Sequence, residues 1–222
     1  MKRINIAIDG PAGSGKSTVA REIARELNIL HLDTGALYRA LAFKAISVGI
    51  DPGSAVQIIP MLSKTELVVA FNNGNQENYL DSLEVSEFLR SREVSKGASD
   101  IAVIPEVREF LLEKQREIAR ERDVVLDGRD IGSFVLKDAE YKFFLTASVS
   151  ERAKRRLSEL KTNSVTLETI EKEIADRDFT DSHRKTAPLT RADDAILIDT
   201  TDMTIDEVVF AVLKLVRGKF KK

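Results

Sequence analysis

Gly10-Pro11-Ala12-Gly13-Ser14-Gly15-Lys16-Ser17 fits the pattern G-x-x-x-x-G-K-[ST] at every fixed position. Glycines let successive backbone N–H groups surround phosphate oxygens at a distance that a Cβ would forbid. The helix expected to follow presents its positive N-terminal end to the same anion. In such a loop Lys16 reaches the β- and γ-phosphates and the Ser17 hydroxyl ligates Mg²⁺, with Thr18 counted to the same nucleotide-binding segment. The alternative, a chance glycine-rich turn, is disfavoured by context: an apolar run, Ile4–Ile8, precedes the loop, and Val19, Ala20, Ile23, Ala24 and Leu27 follow at helical spacing.

Other residues suited to phosphate chemistry fall in short segments after apolar runs. Asp33-Thr34-Gly35-Ala36-Leu37-Tyr38-Arg39 follows Ile29–Leu32, and Asp127-Gly128-Arg129-Asp130-Ile131-Gly132 follows Val124–Asp127. A later stretch, Asp176–Leu189, supplies Arg177, Asp181 and Arg184. Guanidinium forks match phosphate oxygens, and phosphoryl transfer is mainly positioning and charge stabilisation. Arg152, Arg155 and Arg156 share a helical face by i, i+3, i+4 spacing. That face is either a set of phosphate-closing arginines or a solvated charged surface. Asp127 and Asp33 are both candidates to support Mg²⁺ through water, and either would serve equally as a helix cap. His31, inside an apolar run, reads as structural, and Tyr38 and Phe134 read as core aromatics.

The elements that must position these residues alternate. Apolar runs at Ile4–Ile8, Ile29–Leu32, Val124–Asp127, Phe143–Thr146 and Ile196–Asp199 read as strands of a parallel sheet covered on both faces by helices. Ligands bind such sheets at the carboxyl ends of the strands, which would gather the segments above around one site. Helical patterns follow at Leu37–Ala45, from Ser91 past Pro105 to Ile118, and at Ser150–Leu160, Thr166–Arg177 and Thr204–Val216. Leu67–Phe71 is β-prone and Asn73-Gly74 is a hairpin signal, so Glu66–Tyr79 reads as an antiparallel insert. It is either an exposed ornament or part of a unit that closes on an acceptor. The polar stretch Leu160–Asn163 reads as a turn.

Composition excludes several classes. With 43% hydrophobic and 32% charged residues the chain reads as a globular enzyme rather than a disordered one. A net charge of −2 argues against a nucleic-acid partner. The absence of cysteine removes disulfides, thiolate catalysis and Cys-based zinc sites, and permits a reducing compartment. Asp9 interrupts the first apolar run too early for a signal peptide, and no run is long enough for a membrane helix, so a cytoplasmic protein is expected.

The P-loop, the D-[ST]-G-A-x-Y-R segment at 33–39, the D-G-R-D-x-G segment at 127–132 and the R-D-x-x-D-x-x-R-x-x-x-P-L segment at 177–189 stand in this order over nearly the whole chain. Together they resemble the bacterial cytidylate kinases. The resemblance implies a P-loop NTPase fold of three α/β/α layers with a parallel five-stranded sheet, a β-containing acceptor-binding insert and a helical lid. It divides the chain into a core at 1–63, 97–150 and 186–222, an insert at 64–96 and a lid at 151–185. It implies transfer of the γ-phosphoryl group of ATP, with Mg²⁺, to CMP or dCMP by a monomer. Carried over by motif, Thr34, Arg39, Arg129 and Arg184 hold the acceptor phosphate, Ser99, Arg108 and Asp130 read cytosine, and Arg177 and Asp181 contact the sugar. Lys16, Arg129, Arg184 and Arg152 are the implied catalytic set. Thr34 keeps the hydroxyl that serine usually supplies, whereas Phe179 and His183 depart from the family pattern. Two other readings remain: a P-loop kinase for UMP, dTMP or shikimate, and a nucleotide-sensing regulator without turnover.

Overall fold

The computed structural model describes residues 3–159 and 165–219; the turn expected at Leu160–Asn163 lies outside them. Strands β1 (Asn5–Asp9), β2 (Leu30–Asp33), β6 (Val124–Gly128), β7 (Tyr141–Thr146) and β8 (Ile196–Asp199) form one five-stranded sheet in the order β2-β6-β1-β7-β8. Every pairing within it is parallel. The central strands carry near-continuous apolar runs because helices cover both faces. Helices α1 (Lys16–Leu27) and α8 (Ile205–Lys219) pack with Ile6, Ile8, Val125 and Phe143 on one face. The other face buries Ala7, Leu32 and Leu126 with Ile131, Val135 and residues of α5 (Pro105–Glu121). This is the expected three-layer α/β/α architecture.

The hairpin signal at Asn73-Gly74 is realised as β3 (Leu67–Asn72) and β4 (Asn75–Leu80), with both turn residues at positive φ. A short strand, β5 (Leu83–Glu84), was not anticipated; Asp81 and Ser82, both at positive φ, turn the chain into it. The resulting three-stranded antiparallel sheet packs through Leu67, Leu80 and Val85 against α2 (Thr34–Ser47) and α3 (Ala55–Leu62).

Other departures from the periodicity have local causes. The helical pattern expected to run from Ser91 past Pro105 is two helices, α4 (Arg92–Ile101) and α5, because proline occupies the first turn of the second. Helix α3 has no helical signal in the sequence because it is short and contains Pro60. Helix α6 (Val149–Glu159) matches its pattern, but α7 (Leu167–His183) continues past Arg177. That extension places Arg177, Asp181 and Arg184 on successive turns of one helix face and its end. Helices α6 and α7 share a small core of Ala153, Ile170 and Ile174.

Phe143 is among the largest fully buried side chains, inside the sheet beside β1. Phe143→Ala should cost about 3–5 kcal/mol, read as a lower denaturation midpoint at unchanged slope in urea unfolding. A loss well under that range would show that the sheet core is not the main source of stability.

Candidate active site

The loop between β1 and α1 is shaped by glycine where nothing else fits. Gly10 has φ +148, and a Cβ there would lie 2.0 Å from the Leu145 carbonyl oxygen on the neighbouring strand. Gly13 has φ +76, and its missing Cβ leaves room for Arg152, whose own Cβ would be 3.1 Å away. Inside the loop the Ser14 hydroxyl and the Lys16 ammonium both donate to the Pro11 carbonyl, at 3.0 and 2.9 Å. Pro11 and Ser14 are buried, Ala12, Gly15 and Ser17 half-buried, and Thr18 is exposed on the first turn of α1.

Ser17 Oγ donates to Asp127 Oδ2 at 2.6 Å, and His31 Nε2 lies 2.7 Å from Asp127 Oδ1. Burial opposes ionisation of Asp127, but His31, Lys16 and Ser17 hold its carboxyl below the usual carboxylate range. Asp33 is differently employed. Its carboxylate accepts the Ala36 N–H at 3.0 Å, capping α2, and pairs with Arg39 Nη2 at 2.7 Å. Of the two acids left open by the sequence, Asp127 is the one beside Ser17. A hydroxyl and a carboxylate are hard oxygen donors suited to Mg²⁺. No cluster of three or more acidic or histidine ligands exists among the described residues.

Against this donor loop stands a buried chain of charges. Arg108 and Arg184 both reach Asp130: Arg108 Nη2 donates to Oδ2, and Arg184 Nη2 donates to Oδ1 at 3.2 Å. Arg184 Nη1 lies 3.9 Å from Asp181, which accepts from Arg129 Nε at 2.8 Å. Arg184 is held by its own loop, since its Nε donates to the Ala187 carbonyl at 2.7 Å. The Thr34 hydroxyl donates to the Asp127 carbonyl at 2.7 Å, joining α2 to the end of β6.

Arg177 and Lys16 have no carboxylate within ion-pair distance among the described residues, and Arg177 Nε is buried with no hydrogen-bond partner. Burial, then the like charge of Arg129, brings Lys16 down to about 7 and Arg177 down to about 10. Asp127 and Asp181 offset this in part without touching either cation at ion-pair distance.

Arg39 pairs with Asp33 at the rim of this group, and Ser99 is half-buried on α4 without joining the charge chain. Arg152 is buried and directed at the back of the P-loop: it donates to the carbonyls of Ala147 at 2.9 Å and Ala12 at 3.0 Å, and pairs with Asp178 at 2.6 Å. Its helical neighbours differ. Arg155 is tied to Glu151 and Thr200, while Arg156 pairs with Glu159 at the surface. His183 stacks on Phe179, with ring centroids 4.0 Å apart. Tyr38 packs against the core and lies under Arg108, 5.8 Å from its guanidinium carbon.

In the sequence Asp9 does no more than end an apolar run. Its carboxylate accepts the N–H groups of Ile131 and Gly132, each at 2.7 Å, and so pins the single π-helical turn Ile131–Val135 that follows Asp130. Because Asp9 precedes Gly10, one side chain fixes the donor loop to the segment bearing Arg129 and Asp130. Burial pushes Asp9 up to about 7.

A phosphate-binding loop on an open parallel sheet, opposed by buried arginines at the same strand ends, defines a P-loop phosphotransferase. The Cytidylate kinase family model matches residues 6–218. The cytidylate kinase of Alkaliphilus oremlandii is 48% identical over 221 residues, covering 98% of this chain and 100% of that protein. That of Caldicellulosiruptor saccharolyticus is 46% identical over 217 residues, covering 97% and 96%. The chain belongs to the cytidylate kinase family. Among solved structures, an uncharacterized protein from Eubacterium ventriosum aligns with a TM-score of 0.56 at 14% identity, covering 97% of this chain and 99% of that one. The shikimate kinase of Bacteroides thetaiotaomicron aligns at 0.50 and 13%, covering 96% and 98%. These two share the fold.

Phosphates placed beside Lys16 favour its charged form. Below pH about 7 Lys16 is already an ammonium, whereas above it nucleotide binding must draw a proton from solution. ATP affinity should therefore fall as pH rises above about 7, and calorimetry at pH 8 in buffers of different ionisation enthalpy should read proton uptake. Binding without uptake would contradict the depressed lysine.

Proposed function

We propose that this chain catalyses transfer of the γ-phosphoryl group of ATP to CMP and dCMP, giving ADP with CDP or dCDP. Membership of the cytidylate kinase family carries the reaction. The observation supporting the assignment of residues is the buried series Arg108–Asp130–Arg184–Asp181–Arg129 beside a P-loop whose lysine lacks an anionic partner.

In this reading residues 10–18, from Gly10 to Thr18, hold the triphosphate, with backbone N–H groups and Lys16 on its oxygens. Mg²⁺, when bound, would neutralise charge on the β- and γ-phosphates, and Ser17 with Asp127 would hold it. Thr34, Arg39, Arg129 and Arg184 orient the acceptor phosphate, Arg177 and Asp181 the sugar, and Ser99, Arg108 and Asp130 the base. Cytosine offers an amino donor to Asp130 and ring acceptors to Arg108, whereas uracil reverses that sense and leaves buried polar groups unpaired. An acceptor-phosphate oxygen attacks the γ-phosphorus as the bond to the ADP oxygen breaks. The nucleophile is already anionic, so no general base is needed. Lys16, Arg129 and Arg184 stabilise charge on the transferring group, and Arg152 secures the P-loop carbonyl side while the lid closes.

Residues 64–96 act as the acceptor-binding insert, 151–185 as the lid, and 1–63, 97–150 and 186–222 as the core. The active form proposed is a monomer. No described helix is long and apolar enough to cross a membrane, and a chain without cysteine suits the cytoplasm.

Coupled assays with ATP–Mg²⁺ should yield stoichiometric ADP with CMP or dCMP, and rates at least ~10²-fold lower with UMP, dTMP or shikimate. Equal turnover of UMP would contradict the assignment of Arg108 and Asp130. Lys16→Met should reduce kcat by about 10²–10³-fold with an unchanged circular dichroism spectrum, and retained activity would remove Lys16 from the mechanism.

A further inference from the structure

Strand β2 is an edge of the parallel sheet, so half of its backbone groups face away from β6. The Leu30 N–H donates to Asp123 O at 3.0 Å, which directs residues 30 and 32 toward β6 and leaves those of His31 and Asp33 on the open side. Asp33 is the last residue of the strand and the N-cap of α2. Its outward N–H and carbonyl are met by a side chain from the insert. Gln76 Oε1 accepts the Asp33 N–H at 2.7 Å, and Gln76 Nε2 lies 3.4 Å from the Asp33 carbonyl oxygen. A primary amide thus does at one residue what a neighbouring strand would do.

Gln76 is itself held. Its Nε2 donates to Asn78 Oδ1 at 2.8 Å, and Asn78 is buried and takes its place from Ser86, whose hydroxyl accepts the Asn78 N–H at 2.9 Å. On the other side, the Asp33 carboxylate caps α2 through Ala36 and grips Arg39. A continuous series of hydrogen bonds therefore runs from the antiparallel insert to Arg39.

We propose that Gln76 is a positioning residue for the phosphate of the acceptor, fixing Asp33 and through it Arg39, and that this is how the insert takes part in the reaction. The proposal rests on the assignment of Arg39 to the acceptor phosphate. It gives the hairpin a task that neither its exposure nor its turn sequence discloses: it closes an open sheet edge at the point where the acceptor arm begins.

Steady-state kinetics of Gln76→Leu, Gln76→Glu and Arg39→Ala, with CMP and ATP varied separately, test it. Gln76→Leu should raise KM for CMP by about 3–10-fold, with KM for ATP and kcat changed by less than roughly twofold. Gln76→Glu keeps an acceptor for the Asp33 N–H but sets a carboxylate oxygen against the Asp33 carbonyl and Asn78 Oδ1, so it should raise KM for CMP at least as much as Gln76→Leu. The proposal is overturned if Gln76→Leu leaves KM for CMP unchanged, if both KM values rise together with a fall in Tm, or if Gln76→Glu leaves KM for CMP unchanged. If Arg39→Ala raises KM for CMP and Gln76→Leu does not, only Gln76 loses its role. If neither substitution has an effect, the assignment of Arg39 falls first and Gln76 with it.

Discussion

Lys16, Arg129 and Arg177 lie close enough to repel one another, and among the described residues only Arg129 of the three has a carboxylate at ion-pair distance, Asp181. Burying unpaired cations is expensive, and a protein retains such an arrangement where an anion will complete it. The depression of Lys16 and Arg177 expresses that cost in the free protein. In the proposed reading phosphates bound at this point relieve it, so affinity comes from charges the fold has already brought out of water. In the proposed reaction the same charges face the oxygens among which negative charge is redistributed during transfer.

Around these cations the carboxylates set position. Asp130 is shared by Arg108 and Arg184, Asp181 by Arg129 and Arg184, and Asp127 by Ser17 and His31. Each acid fixes two groups from different elements, and removal of any one would leave a buried partner unpaired, which is the costly outcome for such networks. Asp9 does the corresponding work on the backbone, joining the end of β1 to the turn after Asp130. In the proposed reading donor and acceptor halves are thereby built into one frame, to which α7 is tied through Asp181 and Arg184.

Much of this was legible in the sequence because it depends on strong local signals. Five apolar runs marked the sheet, Asn73-Gly74 marked the hairpin, and the P-loop spacing marked the phosphate site. What escaped notice depends on relations between distant segments. Gln76 and Asp9 act on backbone N–H groups of residues far along the chain, and no residue pattern encodes such a partner. The extension of α7 to His183 was hidden because Arg177, Asp181 and Arg184 face a polar site rather than a core, so apolar periodicity fades there. Pro105 lies inside a continuous helical pattern, yet it opens a new helix, since a proline is at home in a first helical turn. The arginines at 152, 155 and 156 share a helical face by spacing yet have three fates, decided by whether the P-loop, Thr200 or solvent lies opposite.

The central claim is that one continuous cationic site serves two nucleotides, and a ligand spanning both reads it most directly. Calorimetry with adenosine and cytidine joined through an uninterrupted polyphosphate chain should give tighter binding than ATP alone, with the linked ligand displaced by ATP and by CMP alike. Displacement by ATP but not by CMP would contradict the account, because the arginines around Asp130 and Asp181 would then not belong to the acceptor.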